Sequence, residues 1–458
     1  MKALAVDRRT EVLRQGLERA WARTDALFEL LAPGALTAQP IALRQPFIFY
    51  LGHLPALAWN QVCRGVLGRP SFDPALDDLF ARGIDPMEGD SFRPAPADAW
   101  PAVSRVLAYR DRVREALRAA SAELEERAET DADPLVQRGR ILAVVLEHEL
   151  MHHETFLYML QQLPAALKVR PTDLPALERA GAPPPRTVSV PAGRVRIGED
   201  FDEVPFGWDN EFGRAEVDVD AFAMDTTPVR NREFLAFVDA GGYTRREHWR
   251  DEDWAWRERR GMAHPHMWQR SAHGWTQQTL FDEVPLDEVG DWPVYVSWAE
   301  ARAYASWRGA RLPSEGEWVW AAYGSPTGRL RSYPWGGASP SSRHGNFGMG
   351  HWSPTPVGRP PDGASAWGAL DLVGNGWEWT DTVFGPLPGF APYIRTYPGY
   401  SADFFDGRHY VLRGASWATD PGLVRRGFRN WFQPHYPYVF AKFRCVQDPK
   451  RRGREASR

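Results

Sequence analysis

Residues 146–154, running from Leu146 through Glu147, His148, Glu149, Leu150, Met151, His152 and His153 to Glu154, constrain this chain more than any other stretch. His148 and His152 are four residues apart, so on a helix they lie one turn above each other on one face. Helix is what the surrounding sequence predicts. Starting from Pro134, residues Ile141, Leu142, Val145 and Leu146 form an apolar stripe, Phe156, Leu157 and Met159 continue it, and Pro164 ends it. Two imidazoles so placed can grip one metal ion once a third ligand arrives from elsewhere. Three readings compete: polar histidines on a helix surface, a zinc-dependent hydrolase, and a three-histidine site in a helical bundle. The second follows from His148-Glu149-x-x-His152, a match to the short H-E-x-x-H pattern. His153 points about 100° away from His152 on a helix and is the weaker ligand candidate.

The residues before this stretch supply a setting for it. Residues 5–32 read as a first helix, with Val12, Leu13, Leu17, Trp21, Leu27 and Leu30 at helical spacing. A second follows Pro46 and carries Phe47, Tyr50, Leu51, His53, Leu54, Leu57 and Val62, with Pro55 predicting a kink or a start nearby. Residues 68–99 read as a long connection, and a third helix runs from about Trp100 to Arg127. Four helices with one long crossover make a bundle, where metal sites are built from facing side chains. His53 sits mid-helix among apolar neighbours and faces inward. It is then either a core histidine satisfied by a backbone carbonyl or the third ligand to the His148/His152 pair.

Length and charge set outer limits. A chain of 458 residues holds two or three domains. With 55 basic and 59 acidic residues intermixed, net −4, it shows no nucleic-acid footprint and no polybasic membrane patch. Two cysteines, Cys63 and Cys445, make no disulfide framework, the N-terminus shows no apolar signal core, and no run approaches a membrane span. The expectation is a soluble, cytoplasmic protein. Residues 166–186 form a Pro-rich linker that should act as a semi-rigid spacer. After it the character changes: most of the 21 tryptophans lie beyond residue 200, amid glycine and proline. Val188–Val190 and Val195–Ile197 look like a hairpin, and helices are evident over 230–240 and 297–308.

Six ordered blocks in this second half resemble the formylglycine-generating-enzyme (sulfatase-modifying-factor) fold. They are Met224 to Phe234, Pro293 to Trp298, Arg311 to Trp318, Gly374 to Trp379, Val411 to Trp417, and Phe443 to Cys445. The first half looks like a DinB-like bundle. Joined in this order, and with Phe206 to Phe212 and Gly427 to Tyr436, the two resemble the ergothioneine sulfoxide synthases over nearly the whole chain. The fold this implies is α+β in two domains. Residues 1–165 would be the DinB-like four-helix bundle and 187–448 a formylglycine-generating-enzyme-like, C-type-lectin-like domain with little regular structure. Residues 449–458, with Lys450, Arg451, Arg452 and Arg454, would be a solvated basic tail.

The resemblance also implies a chemistry. Its members hold a non-haem iron(II) on one histidine from an early helix and two from an H-x-x-x-H helix, which map onto His53, His148 and His152. With dioxygen as cosubstrate they join a thiol sulfur to the imidazole ring of a histidine derivative, preferably hercynine, and leave a sulfoxide. A tyrosine near the iron donates a proton, and Tyr400 is the best match. Trp417, Trp431 and Phe432 are candidates for an aromatic wall around the trimethylammonium group. Asn430 is the candidate for holding the carboxylate or imidazole, Met151 stands where several members have a glutamine touching the imidazole, and Arg444 matches a cation that binds the thiol donor's carboxylate.

Departures point to a smaller thiol donor, such as cysteine: Phe440 replaces an acidic residue found in users of γ-glutamylcysteine, and Lys442 stands where glycine is usual, adding a charge nearby. Alternatives within the architecture are a selenoneine synthase with a selenosugar donor and an ovothiol-type enzyme acting on histidine. A formylglycine-generating oxidase would need a cysteine partner for Cys445 where Phe440 stands. A non-catalytic binding module is the reading from another class. The partners implied are small molecules, not nucleic acid or membrane; oligomeric state is not legible.

Overall fold

The computed structural model describes residues 2–81 and 99–448, and divides into two compact units. The basic tail and residues 82–98 of the long connection lie outside the described residues. The first unit comprises Met1–Asp173 together with Asp200–Asn210 and Phe390–Asp403; the second comprises Leu174–Glu199, Glu211–Gly389 and the chain from Phe404. The helical unit is therefore not a contiguous N-terminal third, since two segments from beyond the linker complete it.

In the helical unit, α1 (Lys2–Phe28), α2 (Phe47–Ala58), α4 (Val103–Arg127) and α5 (Arg140–Gln161) form the bundle. Every residue of α2 is buried, as a helix apolar on all sides must be. Pro55 lacks an N–H, and a few residues beyond it the helix widens into a π-helical stretch, Trp59–Val66. The expected kink is thus a change of winding. The connection after residue 68 is not all irregular: α3 (Pro74–Phe80) interrupts it, capped by Asp73, whose carboxylate accepts from Leu76 N at 3.2 Å, with proline in the first turn. α5 starts later than Pro134, because Arg138 (φ 58°) and Gly139 (φ 64°) are left-handed and break the helix there.

The second unit carries short strands in four small sheets. β1 (Thr187–Val190) pairs antiparallel with β4 (Phe222–Asp225), and β2 (Gly193–Ile197) with β3 (Ala215–Val219). The hairpin expected between β1 and β2 does not form; β1 pairs instead with β4 and β2 with β3, each across a long connection that alternation alone cannot specify. The largest sheet orders β10 (Asn430–Phe432), β9 (Tyr410–Ala415), β8 (Gly376–Val383) and β11 (Ala441–Lys442). The anticipated helices appear as α6 (Asn231–Asp239) and α8 (Trp298–Trp307), joined by α7 (Asp251–Arg260) and α9 (Glu315–Tyr323). α8 and α9 begin with reciprocal capping boxes, Ser297/Glu300 and Ser314/Glu317. The linker is no free spacer from Leu174 onward: its carbonyls at Glu178 and Ala180 accept from Trp292 Nε1 (2.6 Å) and Arg359 (3.2 Å) within this unit.

Candidate metal centre

Three buried imidazoles converge inside the bundle. His53 of α2 and His148 and His152 of α5 each offer a nitrogen, all within 4.8 Å of one another, and they form the one such cluster among the described residues. Nε2 of His148 and Nε2 of His152 are 3.1 Å apart. Two nitrogens each about 2.1 Å from one ion and at right angles would stand about 3 Å apart, so the pair fits a shared ion.

His53 is held from behind. Its Nδ1 lies 2.8 Å from the backbone oxygen of Phe80, so Nδ1 carries the proton and Nε2 keeps its lone pair for a metal. The preceding glycine makes this possible: a Cβ on Gly52 would meet the Phe80 ring at 2.3 Å. Phe49 stacks on the His53 ring at 5.0 Å. α3 and Phe80 were missed in the sequence, although Asp73-Pro74 is a helix-start signal.

Burial keeps all three imidazoles neutral. It pulls His53 down to about 4. It also drives His148 and His152 well below the ordinary histidine value, with the neighbouring imidazoles adding to the effect. Neutral imidazole is the ligand form. With Nε2 of His152 turned to His148, Nδ1 carries the proton of the neutral ring and is a buried donor without a hydrogen-bond partner. The donor set suits iron, zinc or copper.

Neighbours on α5 turn elsewhere. Glu149 accepts from the Thr24 hydroxyl, which stands 2.9 Å from His153 Nε2, and burial raises Glu149 to about 7 and lowers His153 to about 3. Glu149 is thus occupied in the helix interface, against its use as the base of an H-E-x-x-H hydrolase. Met151, half-buried, lies 3.6 Å through its sulfur from the Tyr400 hydroxyl. Glu147 accepts from Trp208 Nε1 at 3.0 Å. Tyr400 and Trp208, far from α5 in sequence, both belong to the helical unit.

The remaining candidates lie in the second unit. Asn430 Oδ1 accepts from the N–H of Trp431 at 2.9 Å. Trp431 and Phe432, both half-buried, stack on the buried rings of Phe384 (4.3 Å, 7°) and Tyr436 (5.3 Å, 8°). Trp417 is enclosed at 2% exposure against Phe440, so an accessible wall falls to Trp431 and Phe432. Arg444 needs correction as a ligand for a substrate carboxylate. Its five N–H groups go to Glu378 (2.8 and 2.6 Å) and to the carbonyls of Asp225, Thr226 and Leu370 (3.0, 3.1 and 2.7 Å). Lys442 likewise puts no free charge near a pocket: fully buried, it pairs with Glu378 at 3.1 Å and donates to Gly376 O at 2.5 Å.

Known proteins match both units. Residues 16–156 match the DinB superfamily and residues 173–449 the sulfatase-modifying factor enzyme 1-like domain. A hercynine oxygenase of Mycobacterium tuberculosis is 37% identical over 453 residues, covering 96% of this chain and 99% of that protein. The chain belongs to the hercynine oxygenase family. A second hercynine oxygenase, from Mycolicibacterium thermoresistibile, is 36% identical and covers 98% of each chain. Ergothioneine biosynthesis protein 1 of Neurospora crassa is 28% identical over 94% of this chain and 57% of its own length. This family membership accounts for the order of the two halves, DinB-like first. No helix among the described residues is long and apolar enough to cross a membrane.

Proposed function

We propose that this protein is an ergothioneine-biosynthetic sulfoxide synthase. It would join a thiol, with cysteine as donor, to the imidazole ring of hercynine. The observation that carries the reading is the convergence of His53, His148 and His152 in a chain similar to hercynine oxygenases from end to end. The reaction balances with dioxygen as oxidant. The ring C–H and thiol S–H bonds are lost, C–S and S–O bonds form, and the four electrons removed reduce dioxygen, one oxygen atom ending in the sulfoxide and the other in water.

His53, His148 and His152 would hold iron(II), which when bound supplies dioxygen activation and a positive charge that favours thiolate over thiol. Because all three ligands are neutral, the protein leaves that charge uncompensated. The Phe80 carbonyl fixes the His53 ring so that its lone pair points at the site. Tyr400 is the proposed proton donor, its hydroxyl lying beside Met151, one residue before the ligand His152. For a trimethylammonium group, which cannot donate a hydrogen bond, we assign the half-buried faces of Trp431 and Phe432; Asn430 adds a polar contact.

The test is product mass by LC–MS after iron(II)-loaded protein, oxygen, hercynine and cysteine are mixed. The expected mass is hercynine plus cysteine plus one oxygen minus two hydrogens. No adduct with iron bound would overturn the cysteine–hercynine pair, and a selenosugar donor and then histidine as acceptor would be the next substrates.

A further inference from the structure

Residues 200–210 and 390–403, both drawn from beyond the linker, meet inside the helical unit. Trp208 is 1% exposed, and its indole lies on the Tyr400 phenol with centroids 3.9 Å apart and planes 22° from parallel. The indole N–H donates to Glu147, and the phenol hydroxyl lies 3.6 Å from the sulfur of Met151. Glu147 immediately precedes His148, and Met151 immediately precedes His152. The stacked pair is therefore tied at both ends to the helix that carries two of the three imidazoles.

We propose that Trp208 is the positioning residue of Tyr400, with Glu147 as its anchor. A half-buried tyrosine swings about two side-chain torsions, and a flat partner held still removes that freedom. Stacking alone lets two rings slide; the bond from Nε1 to a carboxylate fixes the indole in its own plane. The backbone beside Tyr400 is held separately, because the Ser401 hydroxyl donates to Asp209 and accepts from Asn210 at 2.9 Å. Gly207 O accepts from the Tyr393 hydroxyl at 2.7 Å, and Arg140 and Arg138 donate to the carbonyls of Phe201 and Val204 at 3.1 and 3.2 Å. Segment 200–210 thus holds both ring and backbone of Tyr400. Its catalytic consequence rests on Tyr400 being the proton donor proposed above; its geometry does not.

The first test needs neither metal nor turnover. In full-length metal-free protein carrying 3-fluorotyrosine, Tyr400→Phe removes one of the 14 tyrosine fluorine resonances and so assigns it. The ring current of Trp208 should shift that resonance away from the free amino acid. Trp208→Ala should return it toward the free position and broaden it, and Trp208→Phe should retain part of the shift. Glu147→Leu should move it, whereas Glu147→Gln, which keeps an acceptor, should restore it. A resonance unmoved by Trp208→Ala overturns the proposal; if that variant does not fold, resonances unmoved by both Trp208→Phe and Glu147→Leu do so. In the iron-loaded enzyme, Trp208→Ala should lower kcat on the order of a hundredfold with a smaller change in KM. Adding it to Tyr400→Phe should cost nothing more, and multiplying losses would overturn action through Tyr400. If Tyr400→Phe turns over at the full rate, the proton-donor reading falls while the fluorine spectra still decide the positioning.

Discussion

The two units each bury a polar cluster, and they treat it in opposite ways. In the second unit Glu378, Arg444 and Lys442 close on themselves: every N–H of Arg444 has an acceptor and Glu378 also accepts from Trp318 Nε1 at 2.8 Å. In the helical unit three neutral imidazoles stand together with no carboxylate among them, and Nε2 of His148 and Nε2 of His152 are 3.1 Å apart. Ring nitrogens gathered at one buried point are costly to keep, so an open cluster persists where something outside the chain completes it. Saturation marks structure; openness marks function. Residue type alone would have ranked Arg444 as the ligand-binding group.

The largest effect should come from the open cluster. His53→Ala should abolish iron retention and product formation, checked by metal analysis of purified protein; full iron content would remove His53 from the site. Arg444→Ala should instead leave iron in place and destabilise the protein by about 3–5 kcal/mol, because it leaves Glu378 with Lys442 as its one cation among the described residues and the carbonyls of Asp225, Thr226 and Leu370 without their donor. Denaturant unfolding reads this, and a raised KM for the thiol with unchanged stability would return Arg444 to substrate binding.

Glu378 gives the same contrast as a pH dependence. Burial alone would raise its carboxyl, but Arg444 and Lys442 outweigh that and hold it below the ordinary value. The stability it contributes is complete above the unfolded value of about 4 and is lost as pH falls through the lowered folded value. Glu378→Gln should flatten that acid limb of a stability–pH curve; an unchanged limb would show that other carboxylates set it.

Gly52→Ala probes how the open cluster is supported. Forcing a methyl against the Phe80 ring should shift the carbonyl behind His53, weakening iron binding about 10–100-fold with a stability loss of about 1–3 kcal/mol. The smallest effect should be that of Glu149→Gln, which keeps a polar contact to Thr24. Turnover should stay within about twofold and stability within about 1 kcal/mol; a collapse of turnover with iron retained would restore Glu149 as a base.

What was legible in the sequence was whatever repeats along one helix. The spacing of His148 and His152 and the apolar surroundings of His53 brought the three residues together, with the family resemblance naming them as ligands, and the two readings of His53 do not exclude each other because an imidazole has two nitrogens. One bonds a backbone carbonyl, as a core histidine does, and the other faces the pair on α5. Helix α8 was a local signal as well, whereas α9, though it too starts at a capped serine, was missed in the sequence. Long-range features were not legible. The hairpin expected over 188–197 failed because β1 and β2 choose distant partners. No periodicity marks residues 200–210 and 390–403 as part of a helical unit, and the burial of Trp417 and the saturation of Arg444 arise only when remote carbonyls and rings converge.

The discontinuity of the helical unit also has a meaning in time. A ribosome emits His53, His148 and His152 before any of the second unit, and Tyr400 follows Met151 by 249 residues. At roughly 5–20 residues per second, this is a delay of about 10–50 s. Trp208 follows His152 by far fewer residues than Tyr400 does, so for most of that interval a nascent chain holds all three imidazoles and the indole but not the phenol, and the metal-ligating set is complete before Tyr400 in the order of synthesis.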